Sequence, residues 1–128
     1  MFKVKNMESL RSGRPVANQF KVVFDTAIGR VLLFQSYDTP IAMTVSHRVH
    51  GVLYYIATDK RYSRTTSKYQ NMFYKKYGKS IVWQLTVSNF SEWVEALHNQ
   101  ALFNALLLQE QSTYYDWYAD GTLYTERG

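Results

Sequence analysis

The first half of the chain alternates short runs rich in β-branched and aromatic residues with turn residues. Runs of this kind, bounded by Gly, Pro, Asp or Asn, are typical of β-strands. The connections between them are too short for parallel crossovers, so we expect antiparallel pairing. The pattern predicts four strands at Val16–Phe24, Arg30–Tyr37, Ile41–Arg48 and Val52–Thr58.

The period of the apolar positions changes after the fourth strand. At about 100° per residue, four aromatic residues fall within an arc of about 80°, and three cations fall within about 40° on the opposite side. The aromatic residues are Tyr62, Tyr69, Phe73 and Tyr77, and the cations are Arg64, Lys68 and Lys75. This pattern predicts an amphipathic helix from about Ser63 to Tyr77, capped by Ser63, Thr65 or Thr66 and ended by a left-handed Gly78.

The second half begins with a strand-like run, Ser80–Val87, and continues into a predicted long helix. Asn89 and Glu92 resemble a capping box at its start. One face of this helix carries Phe90, Trp93, Val94, Leu97, Ala101, Ala105 and Leu108, and the rest of its second half carries Leu102, Phe103, Leu106 and Leu107. That end is too apolar to face water all round, so we expect either the C-terminal tail or a second subunit to cover it.

The tail contains a strong hairpin pattern. Asp120-Gly121 lies between Tyr114–Ala119 and Thr122–Thr125, and this dipeptide suits the positive φ angles of a type I′ turn. The pattern predicts a C-terminal β-hairpin in which Trp117 and Tyr124 are cross-strand neighbours.

Together these elements predict an α+β fold: a small antiparallel sheet of about four strands, an amphipathic basic helix, a second long helix and a C-terminal β-hairpin. A chain of 128 residues with 46% hydrophobic residues fits a single domain, 1–128. Its charge is divided unevenly. Residues 1–79 carry 14 Lys and Arg against 4 Asp and Glu, or +10, whereas residues 80–128 carry 1 against 6, or −5. We therefore distinguish a basic sheet-plus-helix part, 1–79, from an acidic helix-plus-hairpin extension, 80–128.

Candidate catalytic and metal-binding patterns are scarce. The chain has no Cys, which excludes disulfides and thiolate metal sites and fits a reducing cytoplasm. His47 and His50 are three residues apart in a predicted strand, so we expect them to point to opposite faces and to make poor joint ligands. No phosphate-binding loop, nucleophile elbow or zinc-protease motif occurs. We expect a soluble protein that is not an enzyme, with no cofactor, no metal and no membrane segment.

Three segments, taken together, resemble a family of short uncharacterised proteins found mostly in bacteriophages and other mobile elements. The segments are Val16-Ala-Asn-Gln-Phe20, Phe34-Gln-Ser-Tyr37 with Ile41-Ala42, and Tyr62-Ser-Arg-Thr-Thr-Ser-Lys-Tyr69. The resemblance covers about residues 1–75 and implies an origin, and hence the cytoplasm of an infected bacterium, without implying an activity. Lys60-Arg61 depart from the family pattern, and residues 80–128 look like an addition to it.

The densest chemical feature is a run of cations interleaved with aromatic residues between Lys60 and Lys79. Such residues neutralise phosphates and stack on bases, and the cations we expect to bind an anionic partner are Arg61, Arg64, Lys68, Lys75, Lys76 and Lys79. The leading hypothesis is a non-enzymatic phage-type accessory protein that binds nucleic acid through the basic helix and the neighbouring sheet, an arrangement that would suit a single-stranded partner.

Two other hypotheses belong to different classes. One is an anti-defence inhibitor of a host protein or nuclease complex, similar in role to an anti-CRISPR protein. The other is a structural protein that forms a homodimer. The candidate protein-interface residues are Leu102, Phe103, Leu106 and Leu107 for the dimer, and Trp117 and Tyr124 in the Tyr- and Trp-rich tail, which would supply the anchors of the inhibitor. The amides of Asn18-Gln19 and Gln35-Ser36 either contact bases or satisfy hydrogen bonds of the sheet.

Overall fold

Six β-strands form one sheet, and their order across the sheet is their order along the chain. The computed structural model describes the backbone of residues 2–9, 11–81 and 83–119, and the side chains of residues 3–9, 11–81 and 83–110. The strands are β1 Phe2–Glu8, β2 Pro15–Asp25, β3 Gly29–Ser36, β4 Thr39–His47, β5 Leu53–Thr58 and β6 Trp83–Val87. The helices are α1 Arg64–Phe73, which continues into a π-helical turn at Tyr74–Gly78, α2 Phe90–Ala96 and α3 Gln100–Ala119.

Strands β1 to β5 form an antiparallel meander, and β6 pairs with β5 in parallel. A parallel neighbour needs a long crossover connection, which α1 and the π-helical turn supply. The four strands predicted from the pattern are confirmed, and so is the strand at Ser80–Val87, although its place beside β5 in parallel was not predicted.

The prediction of about four strands was too low, because β1 was missed and the strand at Ser80–Val87 was not counted in this sheet. β1 is an edge strand, and most of its described side chains are exposed, including Val4 at 52% exposure. Among its described side chains only Met7 is buried, so its sequence lacks the run of apolar residues that marks an inner strand.

Helices cover both faces of the sheet. Along β5, Tyr54 and Ile56 belong to the core beneath α2 and α3, whereas Tyr55 and Ala57 belong to the core beneath α1. β4 and β5 are buried on both faces for this reason, and each contains a continuous apolar run, Ile41–Met43 in β4 and Leu53–Ala57 in β5. The segment after residue 79 thus contributes a strand and two helices to the sheet formed by the first half.

The predicted long helix is two helices. The chain turns at Leu97–Asn99, and the Asn99 side chain then accepts a hydrogen bond from the Leu102 N–H (3.1 Å) in the manner of an N-cap. This break rotates the second helix relative to the first. Ala101, Ala105 and Leu108, expected on the buried face, are exposed, and Phe103, Leu106 and Leu107 are buried instead.

The predicted C-terminal hairpin is not formed as expected. Its first arm, Tyr114–Ala119, is the end of α3, because the helix continues to Ala119 without a break. The turn at Asp120-Gly121 and the second arm with Tyr124 lie outside the described residues. No helix in the described part of the chain is both long and apolar enough to cross a bilayer.

Candidate nucleic-acid interface

Helix α1 presents its aromatic side to the sheet and its cations to solvent, as predicted. Tyr69 and Phe73 are buried, and the Phe73 ring lies 5.8 Å from the ring of Phe34 on β3. On the outer side, Arg64, Lys68, Lys75 and Lys76 are exposed, as are Arg61 before the helix and Lys79 after it. Tyr62 was expected on the packed side, but it precedes the helix and is 40% exposed.

The start of α1 is held by a short chain of hydrogen bonds that reaches across the sheet. Ser63 is the N-cap, and its Oγ accepts a hydrogen bond from the Thr66 N–H (3.2 Å). Thr66 Oγ1 lies 2.8 Å from Ser36 Oγ, which in turn accepts a hydrogen bond from Gln19 Nε2 (3.0 Å). Gln35 Nε2 donates to the Tyr37 carbonyl oxygen (2.8 Å). The amides of Gln19 and Gln35 thus each donate a hydrogen bond within the fold, whereas Gln19 Oε1 is buried without a hydrogen-bond partner.

The end of the helix departs from the predicted geometry. Tyr74–Gly78 forms a π-helical turn, closed by a hydrogen bond from the Lys79 N–H to the Tyr74 carbonyl oxygen (2.7 Å). Gly78 does not have the positive φ of a left-handed cap, so that prediction is wrong. Its small size is required by packing, because a Cβ atom there would lie 2.4 Å from Cδ1 of Tyr55.

The π-helical turn places Tyr77 beside two lysines from different elements. Lys21 Nζ, from β2, donates a hydrogen bond to Tyr77 Oη (3.2 Å) and lies 5.7 Å from the ring centroid. Lys76 Nζ lies 5.5 Å from the same centroid. The electron-rich face of an aromatic ring attracts ammonium groups, so Tyr77 holds both charges close together.

Two lysines of β1 complete this cationic cluster. Lys3 and Lys5 alternate along β1, and Lys5 is the direct partner of Lys21 in the antiparallel ladder. Together with Lys21 and Tyr77 they line a cavity of about 380 Å³, and a neighbouring cavity of about 930 Å³ is lined by Lys68, Lys75 and Lys76 with Glu8 as the acidic member. We call Lys3, Lys5, Lys21, Lys68, Lys75, Lys76 and Tyr77 the basic groove.

The structure thus brings only half of the predicted cations together. Lys68, Lys75 and Lys76 lie in the basic groove, whereas Arg61 and Arg64 lie at the other end of α1 and Lys79 lies beyond the π-helical turn. The sequence reasoning missed Lys3, Lys5 and Lys21. The period-two spacing of Lys3 and Lys5 was the available signal. It places both lysines beside Lys21 only if β1 is known to pair with β2.

Outside the groove, His47 and His50 form a stacked pair, so the prediction that they point to opposite faces is wrong. β4 ends at His47, and the following turn folds His50 back until the ring centroids are 3.7 Å apart with the planes 2° from parallel. The His50 N–H donates to His47 Nδ1 (3.1 Å), and His47 Nε2 lies 3.3 Å from Asn104 Oδ1. Burial lowers the pKa of His47, and the Asn104 contact opposes this effect. Within the described residues, no three His, Cys, Asp or Glu side chains are grouped to hold a metal ion.

Three of the six candidate protein-interface residues are buried. Phe103, Leu106 and Leu107 are buried in the core beneath α2 and α3, so neither the tail nor a second subunit is needed to cover them. Leu102 is 37% exposed. Trp117 lies in α3, and Tyr124 lies outside the described residues.

Comparison with known families identifies the group to which the chain belongs. It is a member of a family of unknown function, DUF8033, which matches residues 3–89. The match includes β1 from Lys3 onward, the other five strands, α1 and every residue of the basic groove, and it ends before α2. The shared region is therefore longer than the residues 1–75 expected from the resemblance. Comparison with curated proteins and with solved structures finds no match.

Proposed function

We propose that this protein binds nucleic acid, without enzymatic activity, through the basic groove and the exposed cations of α1. The observation that carries the proposal is the convergence of six lysines from β1, β2, α1 and the π-helical turn on one side of the sheet. A polyanion that follows such a surface releases counterions from its phosphates, which is the main source of sequence-independent affinity for nucleic acid.

The arrangement of these charges favours an external anion over a purely structural role. Within the described part of the chain the ion pair is Arg30–Asp25, and none of the six groove lysines takes part in one. Lys5 and Lys21 are directly opposed, and like charges at paired positions destabilise a sheet. A bound phosphate would offset this repulsion.

The origin and location implied by the resemblance are part of the same proposal. We propose an accessory protein of a bacteriophage or mobile element that acts in the cytoplasm of an infected bacterium. A host protein with an acidic surface is the competing partner, as expected for an anti-defence inhibitor.

Binding of labelled single-stranded and double-stranded oligonucleotides at several salt concentrations tests the proposal. We expect the logarithm of the affinity to fall linearly with the logarithm of salt concentration, with a slope of roughly −0.7 per single-strand phosphate contacted. A variant with Lys68→Glu, Lys75→Glu and Lys76→Glu should bind far more weakly and with a flatter slope.

Arg48→Glu supplies a control, because Arg48 lies in the turn after β4 and outside the basic groove. It should retain most of the affinity. If the wild-type protein binds no oligonucleotide in low salt, or if the groove variant binds as the wild type does, the proposal fails and an acidic protein becomes the preferred partner.

A further inference from the structure

Two tyrosines are exposed where the β3–β4 connection meets the start of α1. Tyr37 is 58% exposed and Tyr62 is 40% exposed. Among the described residues neither ring has an aromatic or cationic partner, in contrast to Tyr77 in the basic groove. Packing explains a buried aromatic ring, whereas an exposed ring without a partner is free to contact a ligand.

A single threonine links the two segments that carry these rings. Ser36, which precedes Tyr37, has its Oγ 2.8 Å from Thr66 Oγ1. Ser63, which follows Tyr62, donates from its Oγ to the same Thr66 atom (3.2 Å). The two rings therefore project from neighbouring segments that are fixed to one buried residue.

The backbone of Tyr37 is held in a conformation that a tyrosine disfavours. Its φ is +56°, in the two-residue connection between β3 and β4, where glycine is the favoured residue. The Tyr37 N–H donates to the Asn18 carbonyl oxygen (2.6 Å), and the Tyr37 carbonyl oxygen accepts from Gln35 Nε2 (2.8 Å). A bulky ring kept in a position that suits glycine points to a role for the ring itself.

Positive charges lead from this pair of rings to the basic groove. Arg61 and Arg64 flank Tyr62 and Ser63 in the sequence, and Arg64, Lys68 and Lys75 continue along the outer side of α1. From Arg64 to Lys75 the helix rises about 17 Å, at about 1.5 Å per residue. A nucleic-acid backbone along this line would meet cations over its whole length and aromatic rings at one end.

We propose that Tyr37 and Tyr62 stack on unpaired bases, so that the partner is single-stranded nucleic acid whose phosphates run along α1 into the basic groove. This inference rests on the proposed function and deepens it by naming the class of nucleic acid. Stacking on exposed rings tolerates any base, but it requires bases that are not already stacked within a duplex.

The test compares single strands with duplexes of the same sequence by fluorescence anisotropy. Tyr37→Ala and Tyr62→Ala should each lower the affinity for single strands by roughly 5- to 150-fold and leave the salt slope unchanged. Tyr37→Phe and Tyr62→Phe keep the ring and should bind as the wild type does. Trp83→Ala is the control, because Trp83 is 45% exposed on β6, facing the side of α2 and α3.

Tyr37→Gly controls for the possibility that loss of single-strand binding results from misfolding. Glycine accepts the positive φ, so this variant should be at least as stable as the wild type and still lose affinity for single strands. Its melting temperature is measured beside the binding.

The outcomes separate this inference from the proposed function. If the wild type binds with a steep salt slope but the alanine variants and Tyr37→Gly bind single strands normally, the stacking role is wrong and the proposed function stands. Equal losses for single strands and duplexes would also overturn the stacking role. If the wild type binds no nucleic acid, or the rings are needed only to bind a protein, both proposals fail.

Discussion

Lys5 of β1 and Lys21 of β2 are directly paired in the antiparallel ladder, with their side chains on the face of the sheet that carries α1. Lys21 is further fixed by its hydrogen bond to Tyr77 Oη. Two ammonium groups at paired positions repel each other, so this arrangement costs stability in the free protein. The pair therefore allows stability and binding to be separated by one substitution.

Lys5→Glu should move these two properties in opposite directions. A glutamate opposite Lys21 replaces repulsion with attraction and should raise the free energy of unfolding by about 0.2 to 1 kcal/mol. The same change removes one phosphate contact and should weaken nucleic-acid binding and flatten its salt slope. Chemical denaturation and oligonucleotide binding measure the two effects. Unchanged affinity for Lys5→Glu would remove β1 from the interface.

The basic groove shows how far the sequence predicted the site. The amphipathic pattern of α1 correctly assigned Arg64, Lys68 and Lys75 to the solvent side, because one periodic helix contains that information. Lys76 was expected only as one of the cations between Lys60 and Lys79. Lys3, Lys5 and Lys21 join them only through strand pairing between distant positions, which no local pattern encodes. Three of the six lysines in the basic groove could therefore not be predicted without the register of β1 and β2.

The second half of the chain shows a different source of error. A continuous helical wheel assigned Leu108 to the buried face and Leu106 and Leu107 elsewhere, whereas the structure reverses them. The reason is the cap at Asn99, which starts a new helix with a new rotation. An asparagine inside an apolar run was the available signal, and a favourable cap there outweighed the continuity of the pattern.

Because the His47 ring is buried, we expect the protein to lose stability in mild acid. Burial lowers the pKa of this ring below its usual value of 6.5 in the folded state, and the nearby His50 acts in the same direction. As the pH falls below about 6.5, this histidine binds a proton in the unfolded chain but not yet in the folded chain. The free energy of unfolding should therefore decrease by up to about 1.4 kcal/mol per pH unit. The loss ends once the pH has passed below the pKa of the folded state.

Denaturation curves between neutral pH and pH about 5, above the main titration range of the carboxylates, measure this effect. His47→Gln should remove most of the slope, and His98→Gln should keep it, because His98 is exposed in the turn between α2 and α3. Protonation at Nδ1 would also break the hydrogen bond from the His50 N–H. A slope that survives in His47→Gln would assign the acid sensitivity to another group.

Gly78→Ala should have two opposing effects on the stability of the protein. Helix propensity alone predicts that alanine stabilises such a position by roughly 1 kcal/mol. The Tyr55 ring opposes this, because the new Cβ would lie 2.4 Å from its Cδ1 atom, and Tyr55 is held by the Phe73 ring at 6.4 Å and the Tyr74 ring at 5.2 Å. We expect the clash to dominate and the variant to lose about 1 to 3 kcal/mol of stability.

A double-mutant cycle with Tyr55→Leu identifies the cause of that loss. If the ring is the obstacle, Gly78→Ala should cost less in the Tyr55→Leu background than in the wild type. Additive losses would show that the Tyr55 ring is not the obstacle, and stabilisation by Gly78→Ala would show that helix propensity outweighs the clash at this position.

Thr66→Val tests whether one hydroxyl group holds the start of α1 to the sheet. Valine has nearly the same shape but lacks Oγ1, the atom that contacts both Ser36 Oγ and Ser63 Oγ. Because Ser36 is buried, its hydroxyl would lose a partner without gaining water, and the expected cost is about 1 to 3 kcal/mol. Thr65→Val makes the same chemical change at an exposed neighbour and should have little effect on stability.

Thr66→Val should also affect binding. Since the segments of Tyr37 and Tyr62 meet at Thr66, loss of its hydroxyl group should weaken single-strand binding more than duplex binding. Equal behaviour of the two valine variants would mean that packing, and not this hydroxyl, positions the two rings.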